Sequence, residues 1–341
     1  MLHLYDYDRL LAGGLMSVYA LIGLIFSVRI GRWLDRYGAG RMLFLACLVM
    51  LCGNLGALVA PDLGGLVLAA RGLEGFAFAI AGPVIANASA RARHLPVVFA
   101  LTAAWIPIGQ ISAALIGQPF IGAGSWQPLW WIAAGATFAM ALWIAVLRHR
   151  LGPAVPNLAL VGFTFTLWAA QYFAFVTWSP SYLVEALGFA PSDAVLGYLL
   201  PVGLLLLFVL TCGGIMRMGV PIPALLLGSL LLQASVWWWL PTAESPLWAG
   251  FGLVAWATGA GTTPTCLFAM PSAVIGAGRA GPRAFGIVMT GRNLGVLIGP
   301  LLIPTILALG DTWGSAGPIF GGLTLAAGGV AALLAWRLRP I

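Results

Sequence analysis

Of the 341 residues, 61% are hydrophobic and 7% charged, which excludes a water-soluble single domain, because its surface would be as apolar as its core. The net charge of +7 comes from arginine without any lysine, and no basic stretch is dense enough to form a nucleic-acid face. The apolar runs are too long and unbroken for a membrane barrel, so an all-α bundle of membrane-spanning helices is left.

About 20 apolar residues span the ~30 Å hydrocarbon layer as a helix. Reading spans between polar or Pro/Gly-bearing breaks predicts eleven helices, at about 10–30, 42–60, 64–90, 96–118, 127–147, 156–178, 194–216, 220–240, 246–272, 284–308 and 317–336. The short connections make successive helices antiparallel neighbours. The first apolar run carries no small-residue cleavage site, so no cleavable signal is expected. Cys47, Cys52, Cys212 and Cys266 lie inside apolar runs and read as small hydrophobes, with no metal-like spacing.

Between the first two runs stands the one dense cluster of charge, Gly31-Arg32-Trp33-Leu34-Asp35-Arg36-Tyr37-Gly38-Ala39-Gly40-Arg41. It resembles the signature loop of the major facilitator superfamily, G-x-x-x-D-R-x-G-R-[RK]. Gly31, Asp35, Arg36 and Gly38 are in register, Ala39 stands where an Arg is expected, and Arg41 supplies the distal base. The resemblance implies two pseudo-repeated halves and a cytoplasmic loop. Asp35 would then face the start of the family's eleventh helix, near Pro282-Arg283-Ala284, and hold the cytoplasmic side closed. A carboxylate at a helix N-terminus gains ~0.3–1 kcal/mol, more if partly buried.

With that loop inside, helix alternation places Arg29, Arg32, Arg36, Arg41, Arg91, Arg93, Arg148, Arg150, Arg217, Arg279, Arg283, Arg337 and Arg339 on the same side. Asp6, Asp8, Asp62, Glu185, Asp193, Glu244 and Asp311 fall opposite, and only Arg9 breaks the pattern. This positive-inside signal predicts an N-terminus outside and a C-terminus in the cytoplasm, in a cytoplasmic (inner) membrane. Family members normally have twelve helices. Counting back from the loop makes 10–30 the second, so the first is expected to be missing, through an internal start or a natural shortening. Gly152-Pro153-Ala154-Val155-Pro156 then divides residues 1–150, five helices, from 151–341, six helices. An echo of the loop, Gly213-Gly214-Ile215-Met216-Arg217-Met218-Gly219, matches Arg36 and Gly38 with Arg217 and Gly219.

Charges within spans are costly, at least ~2.5 kcal/mol each, and should face a cavity or each other. In the third predicted span, Arg71-Gly72-Leu73-Glu74-Gly75 resembles the family motif R-x-x-Q-G-x-G-A-A, and Arg71 and Glu74, three apart, can pair. The pair reads either as a static lock or as a proton- or substrate-responsive device. Arg292 has no acid predicted at its depth except Glu74. It either snorkels to the surface or offers its planar fork to an anion. The glycines after Asn293 permit close helix contact.

Trp105, Pro107, Gln110, Gln171, Tyr172, Tyr198, Thr262, Thr263, Thr265 and Asn293 are further polar or shaped positions in apolar spans. Each reads as an interhelical hydrogen bond or a cavity ligand; Gln171 and Tyr172 stand out because the family's seventh helix lines the pore. Trp126, Trp130, Trp131 and Trp237 to Trp239 read as interfacial belts. His3, His94 and His149 lie at predicted surfaces, and without lysine there is no G-x-x-x-x-G-K loop, so neither an enzyme nor an ATP-driven pump is expected. No cofactor, metal, nucleic acid or obligate protein partner is expected, only a small solute and lipid.

Four places resemble the cyanate and 2-nitroimidazole transporter branch: Arg71-x-x-Glu74-Gly75, Trp105-Ile-Pro-Ile-Gly109, Gln171-Tyr172 with Trp178-Ser-Pro-Ser-Tyr182, and Asn293-Leu-Gly295 with Gly299-Pro300. That resemblance implies proton-coupled movement of a small, anionic solute by rocking of two halves. The alternatives are a proton-coupled multidrug or metabolite exporter of the same fold, and a shortened, transport-incompetent membrane protein.

Overall fold

The computed structural model describes residues 9–59, 61–89, 95–121, 127–146, 158–276, 282–310 and 312–337. They form eleven α-helices and, among the described residues, no strand. These are α1 (Arg9–Tyr37), α2 (Ala39–Val59), α3 (Gly64–Ser89), α4 (Leu95–Ile121), α5 (Gln127–Val146), α6 (Ala159–Glu185), α7 (Pro191–Arg217), α8 (Ile222–Trp237), α9 (Pro246–Ile275), α10 (Pro282–Gly310) and α11 (Ala316–Arg337). Nine are long and apolar enough, over described residues, to cross a membrane. The helix count matches the reading of the sequence, and the dividing stretch 151–156 lies outside the described residues.

Two boundaries differ from expectation, each for a local reason. The polar stretch after residue 30 is mostly helix, because nothing in Gly31 to Tyr37 breaks it before Gly38. Gly38 alone turns the chain, at φ 82°, a left-handed conformation that costs glycine little. Gly219 does the same after α7, at φ 88°, so the echo in the sequence is also an echo in backbone geometry. The other difference is α6, which runs on to Glu185 instead of stopping near Trp178. Pro180 sits inside it, since neighbouring groups in a packed bundle can re-satisfy the backbone that a proline frees.

The helix α10 lies between α6 and α1. Gly291, Gly295 and Gly299, four apart, present one bare stripe to α6, and a methyl on any of them would run into the backbone of Gly162, Thr166 or Ala170. Small residues at this spacing let helix backbones approach closely where no hydrophobic effect drives them together. On its other side α10 runs antiparallel to α1: a methyl at Gly13 would stand 2.9 Å from the Pro300 carbonyl, and one at Gly286 would stand 2.9 Å from that of Ser27. The first five helices also meet the last six through α4 against α7 and α9, and α3 against α10. At the start of α1, Arg9 donates to Glu185 at the end of α6 (2.8 Å), so the one base that broke the charge pattern is paired.

The tryptophan belts are only partly as expected. Trp131, Trp238 and Trp239 are exposed, whereas Trp237 is buried and hydrogen-bonded inside α6, α8 and α9. Trp130 lies against the Arg71 guanidinium, and Trp126 is outside the described residues. The four cysteines are free thiols, two of them buried.

Candidate functional site

Arg292 is the centre of the arrangement. It is 2% exposed, so it does not snorkel to either surface. Its guanidinium carbon stands 4.6 Å from the ring centroid of Phe78 on α3 and 5.0 Å from that of Phe173 on α6. One amino group donates to Oδ1 of Asn293 (3.3 Å), whose amide donates to Ser27 Oγ on α1 (3.3 Å); Ser27 in turn donates to the Gly23 carbonyl. The Nε of Arg292 has no hydrogen-bond partner among the described residues. Nor does Arg292 form an ion pair there: the pairs with both partners described are Arg9–Glu185 and Arg71–Glu74. Two aromatic faces offset part of the cost of burying the charge, at about 2 kcal/mol for a desolvated cation–π contact.

Arg71 and Glu74 do pair, through a guanidinium NH1 and Oε2. Arg71 also donates from Nε to the Leu15 carbonyl on α1 (3.1 Å) and lies 5.3 Å from the ring of Tyr19. Glu74 is 2% exposed, and its Oε1 has no partner among the described residues. The Tyr19 ring packs 5.0 Å from Phe78, which links the two charged groups. A continuous row therefore runs Glu74, Arg71, Tyr19, Phe78, Arg292, Phe173, from the first helices of the chain into the last.

Trp105 on α4 stacks on Phe78 (4.7 Å, 11°), and its buried Nε1 also lacks a described partner. Tyr172 donates to Gln110 Oε1 (3.3 Å), joining α6 to α4, and its ring stacks with Trp168 and Trp256. The predicted residues Trp105 and Arg292 thus converge on Phe78, with Asn293 hydrogen-bonded to Arg292, and Gln110 and Tyr172 meet each other.

Gln171 is placed elsewhere. Its Oε1 accepts from Trp237 (2.7 Å) and Trp256 (3.2 Å), and its amide donates to Gln233 Oε1 (2.9 Å). Gln233 accepts from Trp168 and donates to Thr263, which bonds Ser229. This network is satisfied within α6, α8 and α9, and a satisfied buried network fixes packing. Thr265 donates to the Val209 carbonyl on α7, the interhelical reading of that position, whereas Thr262 donates back to the Thr258 carbonyl within α9. Gly31, Asp35, Arg36, Gly38 and Arg41 stand at the α1–α2 turn. The side chains of residues 282 and 283, expected opposite Asp35, are outside the described residues.

Tyr19, Phe78, Phe173 and Ser27 were not singled out by the sequence. In a chain with 17 Phe, nothing marks the two that face a guanidinium. The available signal was that a buried Arg calls for aromatic faces nearby. A separate apolar cavity of about 40 Å³, lined by Phe175, Trp178, Tyr182, Trp237 and Trp313 among others, includes none of the charged groups.

An all-helical bundle, nine of whose helices are long and apolar enough over described residues to cross a membrane, with a cation buried within it, defines a multi-pass membrane protein. Residues 1–300 match the family model described as the Major Facilitator Superfamily, and the chain belongs to that family. Its fold is similar to that of the human organic anion transporter MFSD10 (TETRAN), with a TM-score of 0.75 at 16% identity over 94% of this chain and 83% of that one. It is also similar to the proton:xylose symporter XylE bound to 6-bromo-6-deoxy-D-glucose, with a TM-score of 0.77 at 14% identity over 97% and 86%. No curated protein matches the sequence. The family consists of transporters of small molecules, not enzymes.

Proposed function

We propose that this chain is a secondary transporter that moves a small anionic solute across the cytoplasmic membrane by alternating access, with Arg292 as the anion-binding side chain. The observation that carries the reading is a buried guanidinium whose Nε has no partner among the described residues, held by two aromatic faces where a carboxylate would otherwise be needed. An Arg fork accepts a planar anion through two parallel hydrogen bonds, and such charge-assisted bonds are about twice as strong as neutral ones. Asn293 positions the fork from the side. Gln110 and Tyr172 join α4 to α6 nearby, where they would respond to the two halves, 1–150 and 151–341, rocking apart.

Arg71 and Glu74 are the proton-coupling pair in this reading, reached from Arg292 through Tyr19 and Phe78. The signature residues Gly31, Asp35, Arg36, Gly38 and Arg41 form the cytoplasmic gate, working against the start of α10, with the C-terminus on that side. The close run of α1 along α10 supports such a gate, because a shift of either helix moves the other. The cyanate-like branch is the narrowest substrate class the motifs support. Among solved proteins of this fold, one is an organic anion transporter and another a proton symporter, which is compatible with both parts of the reading.

Uptake of radiolabelled cyanate and other small anions into vesicles tests it. Saturable uptake is expected for the chain, with at least ten-fold weaker apparent affinity in Arg292→Ala, since losing a charged hydrogen-bonding partner costs about 1.5–3 kcal/mol. Saturable uptake with unchanged affinity in that variant defeats the proposal. The stacked column Trp168, Tyr172, Trp256 and Phe175 favours one second reading, a multidrug or metabolite exporter with an aromatic cavity. Dye efflux from cells without anion uptake would select it.

A further inference from the structure

Arg29, Arg32 and Arg36 recur at positions i, i+3 and i+7 of α1, on one helix face, and all three are exposed. With Trp33 they line a recess of about 300 Å³. The same face carries Leu21 (37% exposed) and Ile25 (55% exposed) in the preceding turns, so an apolar outward stripe passes directly into a basic one. At 1.5 Å per residue the three arginines extend over about 10 Å of helix, comparable with the headgroup layer that follows the hydrocarbon. Trp33 stacks with Phe26 (6.3 Å), and the Arg29 guanidinium lies 5.9 Å from the Phe26 ring. None of the three forms an ion pair with a described residue, and among the described residues no carboxylate lines the recess.

A basic membrane face follows from topology alone. Topology does not require three guanidinia and an indole around a single recess, continuing the outward apolar stripe of one helix. The ligand such a recess suits is a phosphate monoanion or diester, and the apolar stripe leading into it selects a phosphate that carries acyl chains. We infer that Arg29, Arg32 and Arg36, with Trp33, form a binding site for the phosphate headgroup of an anionic membrane lipid. The lipid's chains lie along Leu21 and Ile25. This site is separate from Arg292 and shares only Arg36 with the proposed gate, so the test below uses Arg29 and Arg32, which the transport reading does not assign.

Native mass spectrometry of the full chain, solubilised in detergent with phosphatidylglycerol or with phosphatidylcholine, tests the assignment. Retention of phosphatidylglycerol over phosphatidylcholine is expected. Arg29→Gln and Arg32→Gln should each weaken it about five-fold, on the order of the gain from one arginine at an anionic surface. Arg217→Gln, an exposed base at the end of α7, should leave retention unchanged. Equal retention of both lipids, unchanged retention in the Arg29 and Arg32 variants, or an equal loss in Arg217→Gln each overturns the site. Inorganic phosphate is expected not to displace the lipid at millimolar concentration. Displacement by it would overturn the lipid in favour of a free phosphate ligand.

Discussion

The guanidinium carbon of Arg292, on α10, stands 4.6 Å from the ring centroid of Phe78, on α3. Between these residues lie more than two hundred positions of sequence, and the contact joins the first five helices to the last six. It stands in place of a salt bridge, because the buried acid nearest in kind, Glu74, is taken by Arg71. The charge at the seam is therefore stabilised by ring faces, which leave its hydrogen-bonding edge available, where a carboxylate would occupy it.

A double-mutant cycle on that contact has a definite expected result. Phe78→Leu keeps apolar bulk and removes the ring face, so it should lower stability in detergent by about 1–2 kcal/mol. In an Arg292→Leu background the same exchange should cost under half as much, because the charge it served is gone. Thermal unfolding of the four proteins measures the coupling. Strictly additive losses would mean that the ring and the guanidinium are neighbours without an interaction.

Glu74→Gln keeps shape and hydrogen bonding to Arg71 while abolishing titration. If the pair couples transport to protons, the variant should retain uptake yet lose most of its variation between mildly acid and neutral pH. Counterflow exchange, which needs no net proton movement, should persist. A pH–rate profile identical to that of the unaltered chain would make the pair a scaffold that ties α3 to α1 through Leu15.

The bundle was legible because lipid imposes one solution on a long apolar run, so helix number follows from counting. The Arg71–Glu74 pair was legible too, since two charges three apart on one helix meet whatever surrounds them. The surroundings of Arg292 were not, because Phe78 and Phe173 come from distant helices and carry no mark that separates them from other phenylalanines. Gln171 shows the converse. Its type and helix suggested a ligand, but the tryptophans and Gln233 that consume its amide are brought to it only by the packing of α8 and α9.

The carbonyl of Pro300 illustrates how prolines are accommodated inside α10. Pro304, four residues on, has no N–H to donate to it, and the indole of Trp178 on α6 donates instead (2.8 Å). Trp178→Phe should cost about 0.6–1.7 kcal/mol, the range for interhelical hydrogen bonds in membranes. With Pro304→Ala the backbone amide returns to Pro300, and Trp178→Phe should then cost clearly less. Unfolding midpoints of the single and double variants decide it, and equal costs in both backgrounds would show that the indole does not stand in for the missing amide.

The glycine stripe of α10 gives the sharpest contrast. Gly295 faces Thr166 so closely that a side chain would meet its carbonyl, while Thr166 itself donates to the Gly291 carbonyl at 2.9 Å. Gly295→Val must push α10 from α6, breaking that bond and the contact between Trp178 and Pro300 together. A loss above about 3 kcal/mol is expected, at or beyond the usual cost of overpacking. Gly322 in α11 has nothing within 4 Å of an added methyl, so Gly322→Ala should be neutral or gain up to about 1 kcal/mol from its better helix propensity. Yield of monodisperse protein and its unfolding temperature measure both. If Gly295→Val is as stable as Gly322→Ala, α6 and α10 are not held at the separation that places Arg292 against Phe173, and the site derived from that separation loses its geometric basis.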